Sequence, residues 1–154
     1  MISTKFSHIN IISRNWKKLA DFYIEVFNCR PVPPERSLKG KWLADGTGIK
    51  NASLKGIHLL LPGYDANGPT LEIFQYEINE KDLPQSVANR EGLRHLAFSV
   101  DNVENVLVKV IQNGGSKIGE VVQKNFKTGT LIFTYAADPE ENIIELQKWN
   151  SKSD

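Results

Sequence analysis

The chain opens with a pattern that predicts a strand followed by a helix. Residues 6–12 (FSHINII) have strand-like character, and the apolar residues of 16–27 then fall on one helical face. Ser13 is the predicted N-cap, and the helix is predicted to end before Pro31. Three further strand-like segments follow, at 41–45, 54–61 and 69–76. The first half is therefore predicted to be a β-α-β-β-β module.

The same pattern returns in the second half of the chain. Residues 93–100 (LRHLAFSV) alternate as a strand, and 103–111 carry an apolar helical stripe. Asp101 is the predicted cap of this helix, with Glu104 at capping-box spacing. Three strand-like segments again follow, at 117–123, 130–136 and 142–149.

A constant offset of 87 residues relates the two halves. It connects His8 with His95, Trp16 with Val103, and Tyr23 with Val110. Agreement of strand and helix in one register indicates an internal duplication. The sequence thus predicts an α+β fold in a single domain over 1–154. Its two tandem βαβββ modules lie at 5–78 and 92–149, joined by a linker at 79–91.

Composition restricts the classes of partner. The net charge is +1 and like charges are not clustered, which argues against binding to nucleic acid or to an anionic membrane. No apolar run approaches the ~20 residues that span a bilayer, and the N-terminus has no secretory pattern. The single cysteine, Cys29, is interpreted as a buried apolar residue and fits a reducing compartment. A cytoplasmic location is expected.

Two histidines and two glutamates occupy matching points of the two modules. His8 and His95 lie in the first strand of each module, and Glu72 and Glu145 lie in the last. A carboxylate in an apolar strand is costly unless it is paired or bound to a metal. Two imidazoles and two carboxylates suit one divalent ion: Zn, Ni, Co or Mn, with Fe(II) less favoured.

Each of these residues taken alone is more often structural than a ligand, and it is the repeated order of histidine and then glutamate that favours a metal site. His58, the third histidine, has no counterpart under the 87-residue offset. We therefore expect His58 to have a structural or substrate-contact role.

These segments resemble the vicinal oxygen chelate superfamily. Its members include glyoxalase I, methylmalonyl-CoA epimerase, extradiol dioxygenases, fosfomycin-resistance thiol transferases and bleomycin-resistance proteins. The matching segments are FSHINIISRNWKKLADFYIEVFNC, GPTLEIFQY, GLRHLAFSVDNVENVLVKVIQNGG and DPEENIIELQKW. The resemblance implies a curved mixed sheet that forms a cup around the metal, a homodimer, and the ligand set His8, Glu72, His95 and Glu145.

The resemblance also implies a class of reaction. The substrate would be a small molecule with two neighbouring oxygens. A fourth protein ligand, Glu72, favours a lactoylglutathione lyase-like or epimerase-like enzyme, which removes a proton beside a metal-chelated carbonyl and passes through an enediolate. Glu145 and Glu72 are the predicted catalytic carboxylates.

Two alternatives stay open on the same scaffold. An extradiol-type dioxygenase or a thiol transferase would not need Glu72 to bind its metal. A non-enzymatic, resistance-type protein would bind a small molecule in the cup and hold no metal.

The first module is longer than the second between its histidine and its glutamate. His8 and Glu72 are 64 residues apart, whereas His95 and Glu145 are 50 apart, a difference of 14. The extra residues are expected in a loop at 31–56 that covers the cup and helps to choose the substrate. Candidates for holding an anionic substrate group such as glutathione, each otherwise a solvated surface charge, are Arg14, Arg30, Arg36 and Arg94.

Overall fold

The computed structural model describes residues 4–80, 87–89 and 91–152. The chain divides into two compact units, 1–81 and 82–154, and each unit contains one mixed sheet. Residues 81–86 and 90 of the linker predicted at 79–91 lie outside the described residues. The α+β fold class predicted from the pattern is confirmed.

Unit 1 is a four-stranded sheet with two helices. The elements are β1 (His8–Ile12), α1 (Trp16–Phe27), β2 (Arg30–Lys39), α2 (Lys41–Thr47), β3 (Ser53–Leu60) and β4 (Thr70–Tyr76). The strand order is β1-β4-β3-β2, with β1 parallel to β4 and the other neighbours antiparallel.

Helix α1 covers one face of this sheet and packs against β3 and β4. Its apolar stripe, including Leu19 and Tyr23, is buried, as are Leu59, Leu71 and Ile73 on the strands. Burying side chains of this size stabilises the unit by about 1.5 to 3 kcal/mol each. Because odd-numbered residues of β3 and β4 face the helix, the even-numbered ones are left for the opposite face.

The N-cap of α1 is Asn15, and the prediction of Ser13 was wrong. The Asn15 side chain accepts a hydrogen bond from the Lys18 backbone N–H at 3.2 Å. Ser13 instead extends the sheet, since its backbone N–H donates to the carbonyl of Phe74 at 2.7 Å. The helix ends, as predicted, before Pro31, where Asn28 adopts a left-handed conformation.

The strand predicted at 41–45 is a helix, α2. Gly40 and Gly48 flank it with positive φ angles, and the Gly48 N–H donates to the carbonyl of Ala44. Leu43 is buried on one side of the helix, whereas its neighbour Trp42 is exposed. The strand that precedes β3 is β2 instead, and its residues Pro33 and Pro34 lie at an irregularity in the β2–β3 ladder.

Unit 2 repeats the arrangement with shorter connections. The elements are β5 (His95–Ser99), α3 (Val103–Gln112), β6 (Ser116–Lys117), β7 (Val122–Asn125), β8 (Gly129–Ala137) and β9 (Ile143–Ser151). The strand order is β5-β9-β8-β6, and β7 also pairs with β8. Helix α3 packs against β8 and β9.

Two sequence predictions in this unit are corrected. The strand predicted at 117–123 is divided into β6 and β7, both antiparallel to β8. The N-cap of α3 is Asn102, whose side chain accepts from the Asn105 N–H at 2.8 Å, rather than Asp101. Glu104 lies in the first turn, where its negative charge interacts favourably with the helix dipole and stabilises the helix.

Cys29 is a buried apolar residue, as expected. It is 2% exposed, and burial raises the pKa of its thiol to about 12. The thiolate needed for nucleophilic chemistry is therefore scarce at neutral pH. In the described part of the chain, every helix is too short or too polar to cross a membrane.

Gly56 in β3 lies directly opposite Phe74 of β4. A Cβ at this position would lie 2.1 Å from the carbonyl oxygen of Ile73 and 2.4 Å from the Phe74 ring. The absence of a side chain at Gly56 thus allows the Phe74 ring to lie across the β3 backbone.

We predict that Gly56→Ala lowers the free energy of unfolding by about 1 to 3 kcal/mol, because the added methyl group overlaps backbone atoms that cannot move easily. Gly46→Ala is the matched control, since a Cβ there has no neighbour within 4 Å. In helix α2 that change should be neutral or stabilising by up to about 1 kcal/mol. Chemical denaturation measures both, and equal effects would contradict the prediction.

Candidate functional site

In unit 1, a single carboxylate lies between two imidazoles. Glu72 is at the centre of β4, with Asn10 of β1 on one side and His58 of β3 directly opposite on the other. Glu72 Oε2 is 3.5 Å from His8 Nε2, and Glu72 Oε1 is 3.3 Å from His58 Nε2. The Glu72 side chain is 11% exposed, so these contacts compensate for much of its lost hydration.

In unit 2, the corresponding pair is His95 and Glu145. Glu145 lies in β9 opposite Ala97 of β5 and Tyr135 of β8. Its Oε2 atom is 3.1 Å from His95 Nε2. The ring of His95 also contacts the ring of Tyr135, with centroids 5.1 Å apart.

His58 has a counterpart in the sheet of unit 2 that the 87-residue offset does not reveal, and it is Tyr135. Each residue lies on the strand next to the glutamate, directly opposite it in the antiparallel ladder. The 87-residue offset missed this match because the two modules differ in length before and after this strand. His8 and His58 are 50 residues apart, whereas His95 and Tyr135 are 40 apart.

The 14 extra residues of the first module therefore lie in two places. Ten precede His58, in the segment that forms β2 and α2. The other four lie in the β3–β4 hairpin, because His58 and Glu72 are 14 residues apart and Tyr135 and Glu145 are 10 apart. The prediction that all of them lie at 31–56 was only partly right.

The longer β2–α2 segment of the first module packs against Phe74, on the sheet face that carries Glu72 and His58, here called the site face of unit 1. Leu43 of α2, Ala52 and Leu54 form a small buried cluster, and Phe74 packs against it. The Phe74 ring also lies 5.5 Å from the ring of His58, centroid to centroid. The segment predicted as a loop is thus an ordered helix that supports the residue next to His58.

Burial lowers the pKa of His58. The negative charge of Glu72 opposes this effect, while the positive charges of Arg36 and His8 add to it. His58 is therefore mostly neutral at pH 7. In this neutral form the Nε2 atom of His58 lies 3.3 Å from Glu72 Oε1.

The histidine and glutamate side chains of each unit are the candidate metal ligands. Within the described residues, no group of three or more His, Cys, Asp or Glu side chains forms a metal site. Each unit presents one imidazole nitrogen and one carboxylate oxygen from matching strands, with the pairs His8–Glu72 and His95–Glu145. An imidazole nitrogen and a carboxylate oxygen are both donors that divalent ions such as zinc accept.

The predicted arginine candidates differ in their surroundings. Arg30 donates to the backbone carbonyl of Tyr64 at 3.2 Å and is exposed. Arg36 is half-buried on the face that carries His58, and Arg14 is exposed. In the described part of the chain, Arg94 Nε is a buried nitrogen that lacks a hydrogen-bond partner.

Comparison with known proteins identifies the family. The family model of the Glyoxalase/Bleomycin resistance protein/Dioxygenase superfamily matches residues 5–146. The chain belongs to this superfamily. Proteins of the superfamily generally use a divalent metal ion, bind small molecules and often form dimers. No curated protein matches the chain significantly.

Solved structures of the superfamily share the fold of this chain. A glyoxalase family protein from Bacillus cereus matches with a TM-score of 0.76 at 16% identity, over 98% of this chain and 96% of its own. One from Enterococcus faecalis matches with a TM-score of 0.59 at 23% identity, over 96% and 99%. A glyoxalase/bleomycin resistance protein/dioxygenase family enzyme from Burkholderia phytofirmans gives 0.55 at 15%, over 92% and 96%.

We predict that Glu72→Gln lowers the pKa of His58 further in metal-free protein, because the carboxylate charge that raises this pKa is removed. The pKa of His58 in the wild type is already below the ordinary histidine value of 6.5, so less than half of it is protonated at pH 6.5. The control is Glu77→Gln, which removes an exposed charge beyond the end of β4. Titration of the imidazole signals by NMR measures the change, and an unchanged or higher pKa in Glu72→Gln would contradict the contact.

Proposed function

We propose that the chain is a metal-dependent isomerase or lyase, similar to lactoylglutathione lyase or to an epimerase. It removes a proton from the carbon next to a chelated carbonyl and returns it. One divalent ion, Zn, Ni, Co or Mn, has as its proposed protein ligands His8, Glu72, His95 and Glu145. The observation that carries the proposal is the repeated imidazole–carboxylate contact, one in each unit on matching strands.

The charges of these groups support a divalent ion. Two carboxylates balance its charge, and two neutral imidazoles complete a set of four donors. His58 contacts Glu72 from the neighbouring strand, and outer partners of this kind commonly orient a metal-binding carboxylate. Four protein ligands leave positions for two substrate oxygens when the ion is six-coordinate.

The two carboxylates differ in a way that suggests different roles. Glu72 contacts two histidines and has an 11% exposed side chain, whereas Glu145 contacts one histidine and is 17% exposed. A base must move its proton towards the substrate and back, so a less constrained carboxylate suits that role. We assign proton transfer to Glu145 and assign to Glu72 a mainly ligating role.

The remaining part of the mechanism follows from electrostatics. A bound divalent ion stabilises negative charge that develops on a chelated carbonyl oxygen. The His58 side chain, 3.3 Å from Glu72 Oε1, limits the movement of that carboxylate. A homodimer and a cytoplasmic location are part of the proposal, and the single buried thiol of Cys29 is compatible with a reducing compartment.

We expect one Zn²⁺ per chain in protein reconstituted from the metal-free form, with the affinity of Glu72→Ala and of Glu145→Ala each reduced at least about 10- to 100-fold. Replacement of outer-shell partners already has effects of that size. Isothermal titration calorimetry measures affinity and stoichiometry, and Glu77→Ala is the control that should bind like the wild type.

The same measurement separates the alternatives. Full affinity in Glu72→Ala would contradict the isomerase proposal and favour a dioxygenase or thiol transferase. Absence of Zn²⁺ binding by the wild type would favour a non-enzymatic binding protein. Independent binding by each pair would give two ions per chain, and each single variant would then keep one of them.

Proton transfer is tested by exchange with solvent deuterium. The probes are the hemithioacetal of methylglyoxal and glutathione, and methylmalonyl-CoA, each incubated in D₂O with the Zn²⁺-loaded protein. We expect the wild type to catalyse exchange at one of them and Glu145→Gln to reduce the rate by at least about 100-fold. Glu104→Gln on helix α3 is the control. Full exchange in Glu145→Gln would remove Glu145 from the base role.

A further inference from the structure

Arg36 lies on the face of unit 1 that carries the His58–Glu72 contact. In the sheet, Arg36 of β2 is directly opposite Gly56 of β3, which is two residues from His58. Residues opposite each other, and residues two apart along a strand, share a face. Arg36 is half-buried, whereas both of its neighbours along the strand, Glu35 and Ser37, are exposed.

The distance from Arg36 to the site is short. As a diagonal neighbour across the β2–β3 ladder, its Cβ is expected about 7 to 8 Å or less from that of His58. The guanidinium group can cover this distance with its long side chain.

The charge of Arg36 is not neutralised by an acidic side chain. Its Nη1 atom donates to the backbone carbonyl of Pro34, two residues away. Across the described ranges 4–80, 87–89 and 91–152, no carboxylate lies within ion-pair distance of it. A half-buried guanidinium without a counter-ion is costly, and a ligand carboxylate would supply two acceptors in the planar geometry it prefers.

The second unit lacks this feature. Val122 of β7 is opposite Phe133, and Phe133 is opposite Gln147, two residues after Glu145. Val122 thus occupies the position that Arg36 has in unit 1. The duplicated contacts of histidine and glutamate are shared by the units, but the arginine is present in only one of them, which indicates a role in recognition rather than in the shared chemistry.

We propose that Arg36 binds a carboxylate group of the substrate, so that the substrates of this protein are acids that carry a separate carboxylate beside their chelating oxygens. Charge balance supports this class of substrate. A divalent ion, two carboxylates and Arg36 sum to a charge of +1, which one substrate carboxylate neutralises. A phosphate group, with nearly two charges, would leave the site negative.

This inference depends on the proposed metal site, and binding of two chelators to the Zn²⁺-loaded protein tests it without catalysis. Acetohydroxamic acid offers two neighbouring oxygens and no other charge. Succinic acid monohydroxamate offers the same oxygens and a carboxylate two methylene groups away. We expect the wild type to bind the second compound at least about tenfold more tightly, because a charge-assisted pair with a guanidinium has a strength of that order.

Arg36→Gln should abolish this preference and leave the affinity for acetohydroxamic acid unchanged. Arg36→Lys, which keeps the charge, should retain part of the preference. It keeps the test decisive if Arg36→Gln fails to fold. The matched control is Lys55→Gln. Lys55 precedes Gly56 on β3 and is exposed, and its place in the ladder puts it on the opposite face, so the same loss of one positive charge should have no effect.

The outcomes distinguish failure of the proposed metal site from failure of the proposed role of Arg36. If neither compound binds the wild type, the metal site itself is contradicted. If both bind with equal affinity, or if Arg36→Gln keeps the preference, the metal site stands and the role of Arg36 is overturned. An equal loss of preference in Lys55→Gln would indicate a general effect of net charge and would also overturn it.

Discussion

The contact between Glu72 and two histidines is the interaction on which the site face of unit 1 depends. An ionised carboxylate in the middle of a strand loses most of its hydration, and the sheet can accept it only if neighbouring strands supply partners. His8 from β1 and His58 from β3 do so from opposite sides. This requirement fixes the alignment of three strands. The same imidazoles and carboxylate are also groups that can bind a metal ion when they are deprotonated.

The internal duplication explains which parts of the molecule are common to both units and which are specialised. Each unit places an imidazole nitrogen beside a carboxylate oxygen and adds a third side chain from the next strand. That third residue is His58 in unit 1 and Tyr135 in unit 2. The two units differ mainly through unit 1. There the additional helix α2 packs against Phe74, and Arg36 occupies the position that Val122 has in unit 2.

Much of the fold could be predicted from periodicity alone, because the helices α1 and α3 and most strands bury one face and repeat after 87 residues. The strand positions of both histidines and both glutamates followed from the same pattern. The helix α2 could not be predicted, since KWLADGT is short and its only buried anchor is Leu43. The caps were assigned one or two residues too early because serine and aspartate at Ser13 and Asp101 are equally good caps in isolation.

A structural role was expected for His58, but its contact with Glu72 was not predicted. Its partner is set by the register of a hairpin, and a comparison at fixed offset cannot detect a match across an insertion. A usable signal was present, because a histidine within the apolar segment LKGIHLLL is unusual and lies on the strand next to Glu72. Pairing the two strands through their turn would have placed the two residues opposite each other.

The glycine opposite Phe74, Gly56, helps to specify the alignment of β3 with β4. If β3 slipped by one residue along β4, His58 would point to the helix face and the carboxylate would lose a partner. Any such slip would also bring Lys55 or Ile57 to the position that only Gly56 can occupy without overlap. A single missing side chain thus excludes the misaligned hairpins, and it keeps His58 opposite Glu72 before any ligand has bound.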